Sequence, residues 1–318
     1  MRITNKTLTN NMLRDLNSVL SRLDKYQRQL CTEQRVSLPS DDPASVANIM
    51  SLRTSLVETE QYLSNVEDAY SWLDSTDTVF SSVTSILHRS KELTIYSATE
   101  TLSDSDRQAI EAELEQLFDN VLQLANSTHG GKYLFAGQKN TTIPYQRQSD
   151  DPGDPGYFKI VYNGGFITDE GRDLASMNIQ INPNAVLSVN VSDAHENISG
   201  VVEDKLFTPI FTALEKIITN TKNNDTQALS NENLGELDEV LNNILSYRSV
   251  VGAKMNRIDL SKERLQDLKV NLSKLLSKDQ GIDVAEVIMH LKSEENVYRR
   301  ALAVGARILQ PSLMDFLG

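Results

Sequence analysis

Residues 284–309 read VAEVIMHLKSEENVYRRALAVGARIL. Apolar or small side chains recur at Val284, Ile288, Leu291, Tyr298, Leu302, Gly305 and Leu309, in steps that alternate four and three, with Glu295 as the polar exception. That alternation averages about 3.5 residues, the period that keeps one side of a helix against a partner helix, as in a coiled coil. A matching ladder lies at the opposite end of the chain, at Met12, Leu16, Val19, Leu23, Tyr26 and Leu30. Two seams at opposite termini, each in need of a helix, predict that the ends of the chain pair. Burying one seam falls short of offsetting the conformational entropy of helices this long. The paired ends are therefore expected to fray in the monomer and to become ordered against other subunits. Ala301, Ala303, Gly305 and Ala306 would let backbones approach closely there.

The 318 residues are poor in aromatic side chains (6 %, one Trp) and carry a net charge of −13, from 44 acidic and 31 basic residues. A chain this acidic, with no Lys/Arg cluster, repels phosphate backbones, so nucleic acid is not an expected partner. No apolar run approaches the roughly 18 residues of a membrane span, so no membrane insertion is expected. The opening Met1-Arg2-Ile3-Thr4-Asn5 lacks an apolar core and a small-residue cleavage site, which predicts that no signal peptide is cleaved. A single cysteine, Cys31, excludes an internal disulfide framework.

Moving inward, residues 7–30 form a first helix, interrupted by Pro39, and Asp42-Pro43 opens a second, with Asp42 as N-cap and Pro43 at the first helical position. Apolar spacing from Val46 to Tyr96 predicts a helix too long for a small globular core. Ser103-Asp104-Ser105-Asp106 has the form of a capping box and starts a third helix, which His129-Gly130-Gly131 is expected to end. Periodicity then changes. Tyr133–Gly137 reads as a strand, Phe158, Ile160 and Tyr162 alternate before a hairpin turn at Asn163-Gly164-Gly165, and Ile179, Ile181, Leu187, Val189 and Val191 continue the alternation. Helix returns near Leu206; residues 220–233 are polar and read as a loop; Leu237 to Leu275 trace a very long helix that stops at Gly281. The expected fold is mainly α with a β-rich insertion (α+β): a long antiparallel helical rod, its terminal helices paired as a coiled coil, with a small β domain at the far end. The expected segments are 1–38 and 280–318 for the terminal domain, 39–132 and 205–279 for the rod, and 133–204 for the β domain.

Chemistry-bearing residues have structural accounts. Asp41 and Asp42 are explained as a helix cap without any ligand. Cys31 lies on or beside the first seam and reads as a small buried hydrophobe, since His88, His129, His195 and His290 show no ligand spacing. Gly130-Gly131-Lys132 lacks the spacing and the following Ser/Thr of a phosphate loop. No catalytic constellation, metal site or cofactor site is expected, and the chain is not read as an enzyme. Spacing alone serves an ordinary bundle core as well as an inter-subunit seam.

Three stretches resemble the flagellin-like family of bacterial flagellar axial proteins, and within it the hook-associated junction proteins. They are Met1-Arg2-Ile3-Thr4 with the Leu-rich helix after it, Leu30-Cys31-Thr32-Glu33-Gln34-Arg35-Val36 followed by Pro39-Ser40-Asp41-Asp42-Pro43, and Leu124-Ala125-Asn126-Ser127 through Gly131-Lys132-Tyr133-Leu134-Phe135-Ala136-Gly137. The family often has Gly where Glu33 stands, so Glu33 implies a more helical connection. Pro43-Ala44-Ser45 and the ending Ile308–Met314 depart from flagellin itself, the alternative reading as filament subunit. The resemblance selects inter-subunit packing for the seams. It implies an extracellular structural adaptor ring at the hook–filament junction, with Met12, Leu16, Val19, Leu23, Leu30, Ile288, Leu291, Tyr298, Leu302, Leu309, Leu313 and Phe316 as the assembly surface. The implied partners are further copies of the chain, the other hook-associated junction protein, flagellin and a cytoplasmic export chaperone, with passage unfolded through the flagellar export channel.

Overall fold

The computed structural model describes residues 5–36, 38–40, 42–99, 102–137, 140–149, 158–162, 177–191, 194–196, 202–204 and 206–308. The chain is mainly α-helical with a small strand-containing insertion. The long helices are α1 (Asn5–Thr32), α2 (Pro43–Ser97), α3 (Asp104–Ala125), α4 (Thr208–Lys222), α6 (Leu234–Gln280) and α7 (Val284–Ile308), with α5 (Thr226–Ala228) a single turn. Among the described residues the insertion holds four antiparallel pairs: β1–β2 (Thr128–His129, Lys132–Tyr133), β3–β4 (Tyr145–Ser149, Phe158–Tyr162), β5–β6 (Asn178–Asn182, Ala185–Ser188) and β7–β8 (Ala194–Glu196, Val202–Asp204). Two units result, residues 61–266 and the described parts of 1–60 with 267–318.

The central unit, 61–266, carries a continuous core. Its helices α2 and α6 run antiparallel, marked by the bidentate Arg248–Asp77 pair (2.8 and 3.2 Å) and by Lys262–Glu67 (3.2 Å) and Lys91–Asp238. The few aromatic residues concentrate where helices meet strands. Phe135 stands 5.7 Å from Phe80 of α2 and 4.8 Å from Phe207, which leads into α4, while Tyr145 of β3 lies 5.4 Å from Phe207 and Phe118 of α3 lies 5.4 Å from Phe211. Asn126 anchors this junction. Its amide donates to the Tyr145 carbonyl (2.9 Å) and accepts from the Tyr145 N–H (3.0 Å), satisfying both backbone groups at the start of β3, where Tyr162 of β4 is the register partner. Asn65 of α2 and Asn182 then tie β5 to α2 and α6, through the Gln180 carbonyl (2.9 Å) and the Ser261 hydroxyl (3.1 Å).

Several local expectations are corrected. Helix α3 ends at Ala125, with Asn126 as its cap; Gly130 and Gly131, at φ +57° and +78°, form the turn of the β1–β2 hairpin rather than a helix stop. The strand expected over 133–137 is confined to Lys132–Tyr133, because Leu134, Phe135 and Ala136 turn inward and are buried. Residues 220–233 are not a loop. Helix α4 runs to Lys222, Asn224 takes the left-handed conformation that ends helices, and α5 and a π-helical turn, Leu229–Asn233, lead directly into α6. Leu229 is fully buried there, so tertiary packing overrides a polar local composition. Asn163-Gly164-Gly165 and Asp41 lie outside the described residues.

Both caps stand where the sequence places them. Ser103 accepts from the Asp106 N–H and its hydroxyl donates to the Asp106 carboxylate (2.6 Å). Asp42 accepts from the Ser45 N–H (3.2 Å) and from the Ser45 hydroxyl. The Ser45 hydroxyl bond first, then the Ser45 N–H, holds the Asp42 carboxyl below its ordinary range, with Arg35 adding to the effect. A carboxyl depressed by folding stabilises above its unfolded-state value and loses that contribution as the pH falls through its folded-state value. Acidification is therefore expected to loosen the first turn of α2, and Asp42→Ala to abolish that dependence, as amide exchange at Ser45 across an acid titration would show.

Candidate assembly interface at the terminal helices

In the terminal unit α1 and α7 pack antiparallel. Met12 faces Gly305, Arg22 forks onto Glu294 (2.9 and 3.2 Å), and the Tyr26 ring stacks on His290 with centroids 5.4 Å apart. On α1 the whole ladder faces its partner: Val19 is buried, and Met12, Leu16, Leu23, Tyr26 and Leu30 are half-buried. On α7 the covered residues Val287, Leu291, Glu294, Tyr298, Ala301 and Gly305 again fall in steps of four and three, with Glu295 half-buried beside Glu294. This seam shares Leu291, Tyr298 and Gly305 with the ladder read from the sequence. The alternate rungs differ. Val287 is covered (8 % exposed), whereas Val284, Ile288 and Leu302 are open to solvent at 47, 44 and 45 %.

Helix α7 thus carries two interleaved apolar ladders on adjoining faces. Their shared rungs Leu291, Tyr298 and Gly305 are covered against α1, whereas Val284, Ile288 and Leu302 of the second ladder stand exposed beside them. Glu294 sits in the closed seam because Arg22 neutralises it in a bidentate pair. Glu295, at the open ladder, is held below the ordinary carboxylate range by Lys292, which donates to it at 2.9 Å. Beside Glu295, a cleft of about 450 Å³ floored by Leu20, Leu23 and Tyr298 continues the open face onto α1. Leu309, Leu313 and Phe316 lie outside the described residues. Val287 is absent from the ladder read in the sequence, and Ala301 appears there only as a small residue that permits close approach. Their signal is a second four–three ladder offset by one residue, legible only once Glu294 has a partner.

Burial across the terminal unit is thin. Among its described residues the buried hydrophobics are Val19, Val36, Ile49 and Val287, while Leu13, Met50, Val57 and Met289 are more than half exposed. Cys31, expected to be buried, is exposed at the end of α1. It points away from the seam that Leu30 joins and acts as no core residue.

The links between the terminal and long helices are close-fitting. Glu33 adopts φ +55°, so α1 ends abruptly; the expected more helical connection does not form, because the glutamate takes the conformation a glycine would occupy at lower cost. A β-bridge joins Gln34 to Gly281. A Cβ on Gly281 would meet the Ser277 carbonyl oxygen at 2.4 Å, whereas one on Gly305 would meet only the tip of the flexible Met12 side chain. Gly281→Ala is accordingly expected to destabilise the terminal unit by about 1–3 kcal/mol, and Gly305→Ala by less, in chemical denaturation followed at α7.

Among the described residues, no group of acidic, His or Cys side chains could hold a metal ion, and no helix is long and apolar enough to cross a membrane. What the terminal unit offers is a helical pair with exposed apolar side chains along α7. The family model for the bacterial flagellin N-terminal helical region matches residues 3–140, and that for the bacterial flagellin C-terminal helical region matches residues 234–317. The chain belongs to the flagellin family of bacterial flagellar structural proteins. Within it, the chain is similar to the flagellar hook-associated protein 3 of Escherichia coli, at 26 % identity over 94 % of this chain and 95 % of that one. It shares its fold with FlgL of Bacillus cereus (TM-score 0.55, 23 % identity, 71 % of this chain and 99 % of that one). It also shares it with the flagellar junction protein FlgL of Legionella pneumophila (TM-score 0.56, 16 % identity, 73 % and 99 %). Flagellins are more distant relatives.

Proposed function

We infer that this chain is an adaptor subunit at the hook–filament junction of the bacterial flagellum. Copies of it form a ring between the other hook-associated junction protein and flagellin. The observation that carries this reading is the uncovered ladder Val284, Ile288 and Leu302, adjoining a seam already satisfied within the chain. Its occupants are the terminal helices of neighbouring axial subunits, first of all sister copies. Residues 1–38 and 280–318 serve as the assembly domain, 39–132 and 205–279 as its helical support, and 133–204 as the outward-facing part. The role is structural, with no catalytic step. The sparse burial of the terminal unit suits a chain exported unfolded and held by a cytoplasmic chaperone beforehand.

The test is electron microscopy of intact flagella carrying an epitope-tagged, full-length chain. Label confined to the point where hook meets filament is the expected result. Label along the whole filament would replace this reading with that of a filament subunit, which the flagellin helical-region matches favour. Absence of the chain from sheared flagella would overturn both. Purified protein mixed with filament seeds is expected to grow no long filaments.

A further inference from the structure

The connector residues 33–36, which follow α1, are tied down at Arg35 although Glu33 and Arg35 are exposed. Gln29, in the last turns of α1, donates its amide to the Arg35 carbonyl at 2.7 Å. The Arg35 N–H donates to the Gln280 carbonyl at 2.8 Å. The Arg35 guanidinium reaches the Asp279 carbonyl (3.3 Å) and the Ser45 hydroxyl (3.2 Å), and Ser45 in turn donates to the capping Asp42. A single cation therefore joins three elements: the connector, the carbonyl end of α6 and the first turn of α2. A cation suits the carbonyl end of a helix, where the peptide dipoles leave partial negative charge. Two residues before Arg35 stands Glu33 at φ +55°, a conformation that side chains other than glycine adopt at a cost. Strain of this kind persists only where surrounding contacts enforce it.

We propose that Arg35 is the latch of a strained hinge. Engaged, it holds Glu33 in its left-handed conformation and fixes the α1/α7 pair to the ends of α2 and α6. Disengaged, the connector relaxes, Glu33 leaves that conformation, and α1 and α7 become mobile while residues 61–266 keep their structure. The latch regulates the same terminal surface that the junction reading assigns to assembly, but its existence in the monomer does not depend on that reading.

The experiment is amide hydrogen exchange on the full-length monomer and on three variants, Arg35→Ala, Glu33→Gly and the two combined. Arg35→Ala is expected to speed exchange in α1 and α7 about tenfold, the loss of one charged hydrogen-bond hub. Exchange in 61–266 should not change. Glu33→Gly alone is expected to slow exchange in α1 and α7 about tenfold, by relieving the strain. In the Arg35→Ala background the same change is expected to do almost nothing, because the unlatched connector has already relaxed. That coupling separates a latch from an ordinary structural contact. Equal effects of Glu33→Gly in both backgrounds would overturn the proposal, as would unchanged exchange in Arg35→Ala or a loss of protection spread through 61–266. If the latch is found but the labelled chain is absent from the junction, the junction reading fails and the latch stands.

Discussion

A chain carrying Ile288→Asp and Leu302→Asp together is expected to fold as the parent does and to fail to enter flagella. Both side chains are nearly half exposed in the monomer and face away from the α1 seam, so the substitutions remove little buried contact. Surface changes of that kind usually stay within about 0.5 kcal/mol. In an assembly the balance reverses. Completing the burial of each half-exposed apolar side chain against a neighbour contributes about 1 kcal/mol, and a carboxylate in its place must be desolvated without a partner at roughly 1–3 kcal/mol more. Two such losses amount to at least about 3 kcal/mol, more than a hundredfold in association at each contact. Immunoblots of sheared flagella and denaturation of the purified monomer measure the two arms. Val287→Asp provides the contrast, because Val287 is buried between α1 and α7: it is expected to release α7 in the monomer itself. Normal incorporation of the double variant would show that the open ladder is not an assembly face.

The helical architecture was legible because long helices announce themselves. The 55 residues of α2 and 47 of α6 repeat apolar side chains in steps of three and four over many turns, and Ser103 and Asp42 cap with the side chains their positions predict. What stayed hidden depends on contacts distant in sequence. One helix with two interleaved ladders that share Leu291, Tyr298 and Gly305 looks like one ladder until the partner is known. Glu294 then changes from a polar interruption to a seam residue, and its partner Arg22 lies 272 positions away. The end of α3 was read at the glycines, whereas Asn126 ends it while stitching to Tyr145, a pairing no local window contains. Glu33, in place of the family's frequent Gly, suggests a more helical connection, yet a glutamate here bears the steric cost of a left-handed turn because Gln29, Gln280 and Asp279 hold Arg35 in place.

Phe207→Ala is expected to cost the central unit about 3–5 kcal/mol, the usual loss for a large buried aromatic truncated to a methyl. Phe207 is fully buried, edge-on to Phe135 and Tyr145 and stacked beside Phe211. Those neighbours come from the turn after β2, from β3 and from α4, so the ring joins the strand insertion to the helices. The surroundings can collapse only partly into the space, because Tyr145 is held by both its backbone groups to Asn126. The loss should appear in urea denaturation as a lower midpoint with an unchanged slope, since the same surface is exposed on unfolding. The terminal helices are expected to be indifferent. With so few buried hydrophobics, α1 and α7 open locally at a cost below that of global unfolding, so their amide exchange does not pass through the state that Phe207→Ala stabilises. Exchange in 61–266 should accelerate by at least about a hundredfold while exchange in α1 and α7 stays at parental rates. Equal acceleration in both would mean that the termini unfold only with the core, and that the monomer holds its ends as firmly as its centre.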